Sequence, residues 1–544
     1  MEKRTILAIV LSLAVLLGFQ YFFPAAQQQK PVAEVSVESS RSELAEKSQK
    51  TSPVQDSYDH NQVVDSQTET SRTSVSVLEK GKIITIQNSL YRAEIDTLGG
   101  QLKAFFLKEY RTDMAADSPD LNLVTVTGRG PYPLSGAASI RGQWYPDKNL
   151  LFEIPEDSQD IDVSSAEKNL QLKAQLSSGE TLIKEFIFHP QSYVIEVIYS
   201  YMDQEGMFHK ADAVKLNWSH VDEGQKKRQY VYSGVVSYSE GKLYKPSKKE
   251  NKVSHQELMG PLNWLGYTSK YFISVVLVPN EAAIAMTKGL IERADATHLI
   301  AGLQINQENH LKVYIGPKKT VLLESLGMHL ETVVEYGWFG IIARPLVNLL
   351  HFFNKYVHNY GIAIIILTIL IKLAFYPLSQ KSYKSMGKMK EVQPKLAKIK
   401  EKYKDDKTRI NKEMMDLYRT HKVNPFGGCL PIVVQIPVFF ALYRALMVAI
   451  ELRHAPFFGW IVDLSAKDPY YITPLIMGAT MFLQQKMTPT TGDAMQAKMM
   501  LFMPIIFTFM FLNFPAGLVL YWLVNNVLSI GQQYMVMRQA ATPK

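Results

Sequence analysis

The sequence predicts a polytopic α-helical membrane protein that also carries an exported antiparallel β-domain. Three observations lead there. The apolar share of 47% and the mean hydropathy of −0.06 average two unlike parts. Residues 24 to about 330 are polar to mixed, whereas 338 to 537 hold nearly all the long apolar runs. The net charge of +8 is matched by one stretch: Ser379–Pro425 has fourteen basic and six acidic side chains, a surplus of eight. Such a basic loop between apolar segments is a topology signal before it is a nucleic-acid signal.

Taken in order, residues 1–23 begin with Lys3 and Arg4 and continue as an apolar run from Thr5 to Phe23. The length favours an uncleaved transmembrane anchor; a cleaved signal peptide is the alternative reading. Residues 24–80 are rich in Gln, Ser, Glu, Lys and Thr and almost free of aromatics, which predicts a flexible linker outside the cytoplasm. From 81 to 330 the pattern becomes short alternating runs broken by turn residues: KIITIQ, YRAEIDTLGGQLKAFFL, ETLIKEFIFHP, YVIEVIYSYM and KYFISVVLVP. Many strands at short spacing predict an antiparallel β-sandwich.

Residues 331–357 change period. Trp338, Ile341, Ile342, Pro345, Leu346, Leu349 and Phe353 form one helical face opposed by Glu335, Arg344, Asn348 and Asn354, a pattern that predicts an amphipathic helix lying in the membrane interface. Five apolar segments follow, at 361–378, 429–450, 470–487, 499–514 and 516–537. With the N-terminal anchor they make six spans, with both termini cytoplasmic and the β-domain outside. Residues 358–378 are the second span, 429–537 the four further spans with short loops, and 538–544 a short cytoplasmic tail. Residues 379–428 form the basic cytoplasmic loop. There Pro394 is expected to open a helix striped by Leu396, Ile399 and Tyr403, with Asp405 and Asp406 at the turn and Ile410, Met414, Leu417 and Tyr418 as the answering stripe. This helical hairpin could meet anionic lipid or ribosomal RNA, with no signal for a specific nucleic-acid sequence.

Function is carried by polar residues at membrane depth. Lys372 interrupts GIAIIILTILIKLAFYPL and lies roughly 16 Å along the helix from Gly361. A charge there costs roughly 2.5–3.5 kcal/mol on insertion scales, so it snorkels or serves a wet cavity. Thr368 is one turn away on the same face. Gln435 lies between Pro431 and Pro437, and Gln484 and Gln485 occupy the fourth span. Tyr521, Asn525 and Ser529 recur at spacing four in the last span, beside Asn526. Arg444 stands where an aromatic or apolar residue is expected. No Asp or Glu lies inside any span to neutralise Lys372. That pattern favours a positive, hydrated groove over an ion-coupled transporter, whose midplane acids are missing. Cys429 is the single cysteine and no Cys/His cluster has metal-site spacing, so neither a disulfide nor a metal or other cofactor is expected.

The stretches YPLSQKSYKSMGKMKEVQPKLAKIKEKYKDDK, EMMDLYRTHKVNPFGGCLPIVVQIPVFFALY, ELRHAPFFGWIVDLSAKDPYYITPLIMGATMFLQQKMTPT and MPIIFTFMFLNFPAGLVLYWLVNN closely resemble the YidC/Oxa/Alb family of membrane insertases, in its Gram-negative form. The match runs from about Trp338 to the end; residues 1–330 more loosely resemble that form's extra anchor and periplasmic β-supersandwich. The resemblance implies a non-enzymatic insertase and folding chaperone of the inner membrane, acting alone or with the Sec translocon. Its five C-terminal spans would enclose a hydrophilic groove closed toward the periplasm. It places the groove charge on Lys372, where the family more often has arginine, with Thr368 beside it. Gln435 and Phe439 would line the third span, and Tyr521, Trp522 and Asn525 the last. Implied partners are nascent membrane proteins, Sec components, anionic lipids, and the ribosome, signal recognition particle or its receptor through the basic hairpin. The alternatives are a solute transporter or channel with a periplasmic ligand-binding domain, and a membrane-tethered carbohydrate enzyme.

Overall fold

A computed structural model describes residues 81–541 except 116, 127–131, 156–158, 222–230, 247–254, 259, 279, 294–297, 404–405, 422, 425–429 and 489–493. The expected anchor and linker, and the last three residues of the tail, lie outside the described residues.

Alternating side chains in the first half generate strands where the pattern predicts them: Ile83–Gln87, Tyr91–Asp96, Gln101–Arg111, Thr181–Phe188, Val194–Met202 and Phe272–Leu277. Gly99 and Gly100, with φ of 81° and 53°, turn the chain between the second and third of these, a backbone that side chains with a Cβ rarely adopt. Among the described residues the strands form sheets of five, nine and six members. Pairing is antiparallel apart from Ile83–Gln87 beside Asp160–Asp162. Val194–Met202 lies between Thr181–Phe188 and His310–Pro317. The inward residues Phe186, Phe188, Val197, Tyr199, Trp218 and Trp264 are almost fully buried.

The apolar core continues from this domain through Leu323, Leu330, Val333, Val334 and Tyr336 into the helices. Helix α1 spans Gly340–Val357. The expected helix over 331–357 thus begins nine residues late. The chain from 330 to 339 is two 3-10 turns, and Gly337 at φ 67° breaks any continuous α-helix there. The buried stripe is also rotated from the expected face. Ala343, Leu346, Val347 and Leu350 pack inward, while Trp338 and Ile341 are 92% and 89% exposed. Because the helix is apolar on two sides, one side packs on its neighbours and the other is open.

Helix α2 (Tyr360–Ala374) is capped by Asn359, whose side chain accepts from the Ile362 N–H at 3.1 Å. It meets α3 (Tyr376–Lys402) at a bend of 66°. The helix-start signal therefore belongs to Pro377 in the first turn of α3, where the missing N–H is harmless, and Pro394 sits inside a continuous helix. Helix α4 (Lys407–Thr420) folds back against α3. Their shared core is Met389, Val392, Leu396, Tyr418 and Val423 with Met414 and Leu417, so the packing begins nearer the bend than the expected stripe from Leu396 to Tyr403.

Four further helices follow: α5 (Leu430–Val448), α6 (Ile472–Met487), α7 (Ala494–Phe511) and α8 (Ala516–Ala541). Helix α8 packs on α2, α3, α5 and α6, and α7 on α6. Gly478 on α6 permits that last contact, since a Cβ there would fall 2.1 Å from Thr508 Oγ1. Among the described residues no single helix is both long and apolar enough to cross a membrane; the bent pair α2 and α3 meets the length and composition requirements together. The reason differs by element. Helices α2 and α6 have only 15 and 16 residues, and α8 has 26 but carries a run of amides.

Candidate functional site

The polar residues of α8 are brought together by its helical repeat. Asn525, Asn526, Ser529, Gln532 and Gln533 are all at least nine-tenths buried, facing neighbouring helices. Lys372, in the last turn of α2, points at this stripe and is half-buried. Its Nζ donates to Ser529 Oγ at 2.6 Å, and Ser529 in turn donates to the Asn525 carbonyl at 2.6 Å. The Tyr383 side chain reaches in from α3 and interacts with Ser529. One serine thus links α2, α3 and α8. Thr368 is 1% exposed and spends its hydroxyl on its own helix, donating to Ile364 O at 2.6 Å.

Two turns toward the start of α8, about 12 Å along its axis, lies a second layer. Tyr521 is fully buried and its hydroxyl accepts from the Gln435 side-chain amide of α5. Beside it, Phe439 and Trp522 meet edge to face at 4.7 Å, with Phe511 5.4 Å from Trp522 and Phe507 stacked on it at 6.5 Å. Aromatic contacts of this kind add about 0.5–1.5 kcal/mol each. The seven expected residues therefore fall into two layers joined along α8: Lys372, Thr368 and Asn525 with Ser529, and Gln435, Tyr521, Phe439 and Trp522. Polar atoms are left over in both. Among the described residues Trp522 Nε1 and both amide atoms of Gln533 are buried without a hydrogen-bond partner.

Ser529 and Tyr383 belong to the Lys372 layer but are missing from the expected set. Ser529 was visible in the spacing-four stripe. Gln532 and Gln533 continue the same periodicity. Tyr383 gave no signal, because its position depends on the bend at Phe375. Arg444 turns out to lie away from both layers, at the β-domain end of α5, where it lines a cavity with Lys245, Lys318 and Glu335. Among the described residues there is no cluster of His, Cys, Asp or Glu able to hold a metal ion.

Two family models match the chain: the 60Kd inner membrane protein model over residues 352–543 and the YidC periplasmic domain model over 83–349. The chain is 43% identical over 561 aligned residues to the membrane protein insertase YidC of Syntrophus aciditrophicus, covering 99% of this chain and 100% of that one. It is 41% identical over 565 residues to that of Maridesulfovibrio salexigens, covering 99% of each. Among solved structures it is similar to an active YidC insertase with the first transmembrane domain resolved, at 17% identity and a TM-score of 0.38, over 86% of this chain and 96% of that one. A galactose mutarotase related enzyme from Lactobacillus acidophilus matches 43% of this chain, and 97% of its own, at 12% identity and a TM-score of 0.27. Neither overlay is close enough to carry a functional argument.

Proposed function

Because the chain belongs to the YidC family of membrane protein insertases, which insert nascent proteins into the inner membrane and make no covalent change, we propose that insertion proceeds through the two-layered seam along α8. The observation that carries this reading is Lys372 held on Ser529 within a buried amide stripe, in helices whose sequences contain no Asp or Glu. A lysine placed there attracts an acidic or polar segment and lowers the cost of moving it through the hydrocarbon. The aromatic layer of Phe439 and Trp522 receives the apolar segment that follows.

In this reading α2, α5, α6, α7 and α8 are the five spans that follow an N-terminal anchor, with both termini cytoplasmic and the β-domain periplasmic. At about 1.5 Å per residue, α2 and α6 are only about 22–24 Å long against a hydrocarbon core of about 30 Å, which supports a locally thinned bilayer at the seam. The basic hairpin of α3 and α4 is exposed on its lysine-rich faces and suits the ribosome, signal recognition particle or its receptor, and anionic lipid. The Sec translocon is the remaining proposed partner. The transporter alternative lacks a supporting feature: there is no midplane acid and no repeat among the spans.

Proteoliposomes containing only this protein test the reading. We expect a ribosome-synthesised single-span substrate to become protease-protected in them, while preloaded small solutes stay inside. Solute leakage without substrate insertion would instead make the chain a channel.

A further inference from the structure

The junction between the β-domain and the helices holds a buried lysine with no hydrogen-bond or ion-pair partner among the described residues. Lys318 follows the strand His310–Pro317, its backbone N–H is fixed on Tyr271 O at 2.8 Å, and its residue surface is 5% exposed. Its ammonium has no hydrogen bond or ion pair with any described residue, and it lines a cavity of about 200 Å³ shared with Lys245, Glu335 and Arg444. Lys245 is salt-bridged to Glu335 and lies 5.0 Å above the Tyr232 ring. Arg444 Nε lies 3.8 Å from the place a Gly337 side chain would begin, an ordinary contact distance that puts the guanidinium beside the turn. A second cavity, of about 260 Å³, continues the first through Glu335 and Arg444 and adds Arg344. Among the described residues, the charged side chains lining the two cavities are thus four cations and one carboxylate.

A buried ammonium without a counter-charge is costly. Burial pulls the Lys318 ammonium down to about 7, with the Lys245 charge adding to the effect and Glu335 opposing it. A bound anion would remove that penalty. The mouth of the second cavity includes Gly337 and Gly340, and beside them Trp338 and Ile341 stand almost wholly exposed. Exposed Trp beside cations is the arrangement found at the headgroup level of a bilayer.

We propose that this junction is a binding site for a phosphate-bearing anion, an anionic phospholipid headgroup whose phosphate lies between Lys318, Lys245 and Arg444 and whose chains run along Trp338 and Ile341. The site would seat the periplasmic domain on the membrane surface. It gives Arg444, an arginine near the end of an apolar helix, a task that the insertion seam does not.

The full-length protein in detergent can be titrated by calorimetry with dioctanoyl phosphatidylglycerol, dioctanoyl phosphatidylcholine and inorganic phosphate. Phosphatidylglycerol should bind at pH 6.5 at least tenfold more tightly than phosphatidylcholine, whose quaternary ammonium meets the cations. Lys318→Met should weaken phosphatidylglycerol at least tenfold and Lys318→Arg should restore it. Raising the pH to 8.5 should weaken wild-type binding, since Lys318 loses its proton above about 7 while the guanidinium of Arg444 stays charged. If inorganic phosphate saturates the site and displaces the lipid, free phosphate is the ligand and the lipid assignment is overturned; if it does neither, the lipid assignment stands. Equal binding by wild type and Lys318→Met, or equal binding of the two lipids, overturns the proposal. Lys318→Met replaces a buried cation by an apolar chain of similar length, so it should melt no lower than wild type, and lost binding would not be lost folding.

Discussion

Replacing Lys372 by leucine is expected to slow insertion of a substrate with an acidic translocated tail by roughly tenfold or more, about 1.4 kcal/mol of lost attraction at the barrier. The leucine removes the charge at the seam while keeping an apolar side chain on α2, so the helices should still assemble. Lys372→Arg should retain most of the rate, because the charge and the donor to Ser529 both persist. Ser529→Ala separates charge from hydrogen bond. It deletes the acceptor of a hydrogen bond from a charged donor, a net effect of about 1.5–3 kcal/mol on stability, and leaves the ammonium in place. The expected order of insertion rates is wild type, Lys372→Arg, Ser529→Ala, then Lys372→Leu, measured by protease protection of a radiolabelled substrate in vesicles. A Lys372→Leu protein that inserts at the wild-type rate would remove the charge from the mechanism.

The second large effect is on stability and lies in the β-domain. Lys184 and Asp147 are both wholly buried and pair at 2.6 Å. The Lys184 ammonium also donates to Leu134 O at 2.7 Å, and Asp147 accepts from the Tyr199 hydroxyl and the Gly136 N–H, each at 2.8 Å. Burial pushes the Asp147 carboxyl up and the Lys184 ammonium down, and each charge pulls the other back. Removing one partner strands the other, at a cost of about 3–5 kcal/mol. Lys184→Met should therefore lower the melting temperature of the full-length protein, followed by near-UV circular dichroism, by about 6–20 °C, given about 2–4 °C per kcal/mol for a domain of this size. Lys184→Met with Asp147→Leu should recover part of that loss, though not all, since Tyr199 then loses its acceptor. A Lys184→Met melt within about 2 °C of wild type would show that the pair contributes little.

These two sites differ in how much of them the sequence discloses. Lys372 stands out in an apolar run, and its partner Ser529 falls on a face that the spacing of Tyr521 and Asn525 already marks. Helical periodicity of 3.6 residues carries that information locally. Lys184 also lies on a legible face, since Leu182, Lys184, Phe186 and Phe188 alternate inward along their strand. Its partner Asp147 comes from a different element 37 residues earlier, and no local pattern connects them.

The same distinction explains the corrections to the helical part. The bend at Phe375 moved the helix start from Pro394 to Pro377, because proline is compatible with either a first turn or a solvent-side kink and only the tertiary bend decides. The packed face of α1 differs from the expected one for a related reason. Its apolar residues cover more than one side, and which side packs is set by α2 and α5 rather than by its own period. The burial of Lys318 beside Arg444 is not legible in the sequence, because strand His310–Pro317, the 3-10 turns and α5 meet only in the tertiary fold.

The central claim is that a nascent chain passes along the α8 seam. Photocrosslinking residues placed in turn at Lys372, Gln435 and Tyr521, against a ribosome-stalled substrate, test it most directly, with Leu475 on the exposed side of α6 as the control at 58% exposure. The account predicts adducts from the polar tail of the substrate at 372, from its apolar segment at 435 and 521, and few at 475. Equal adducts at 475 and 372, or none at any of the three seam positions, would contradict it.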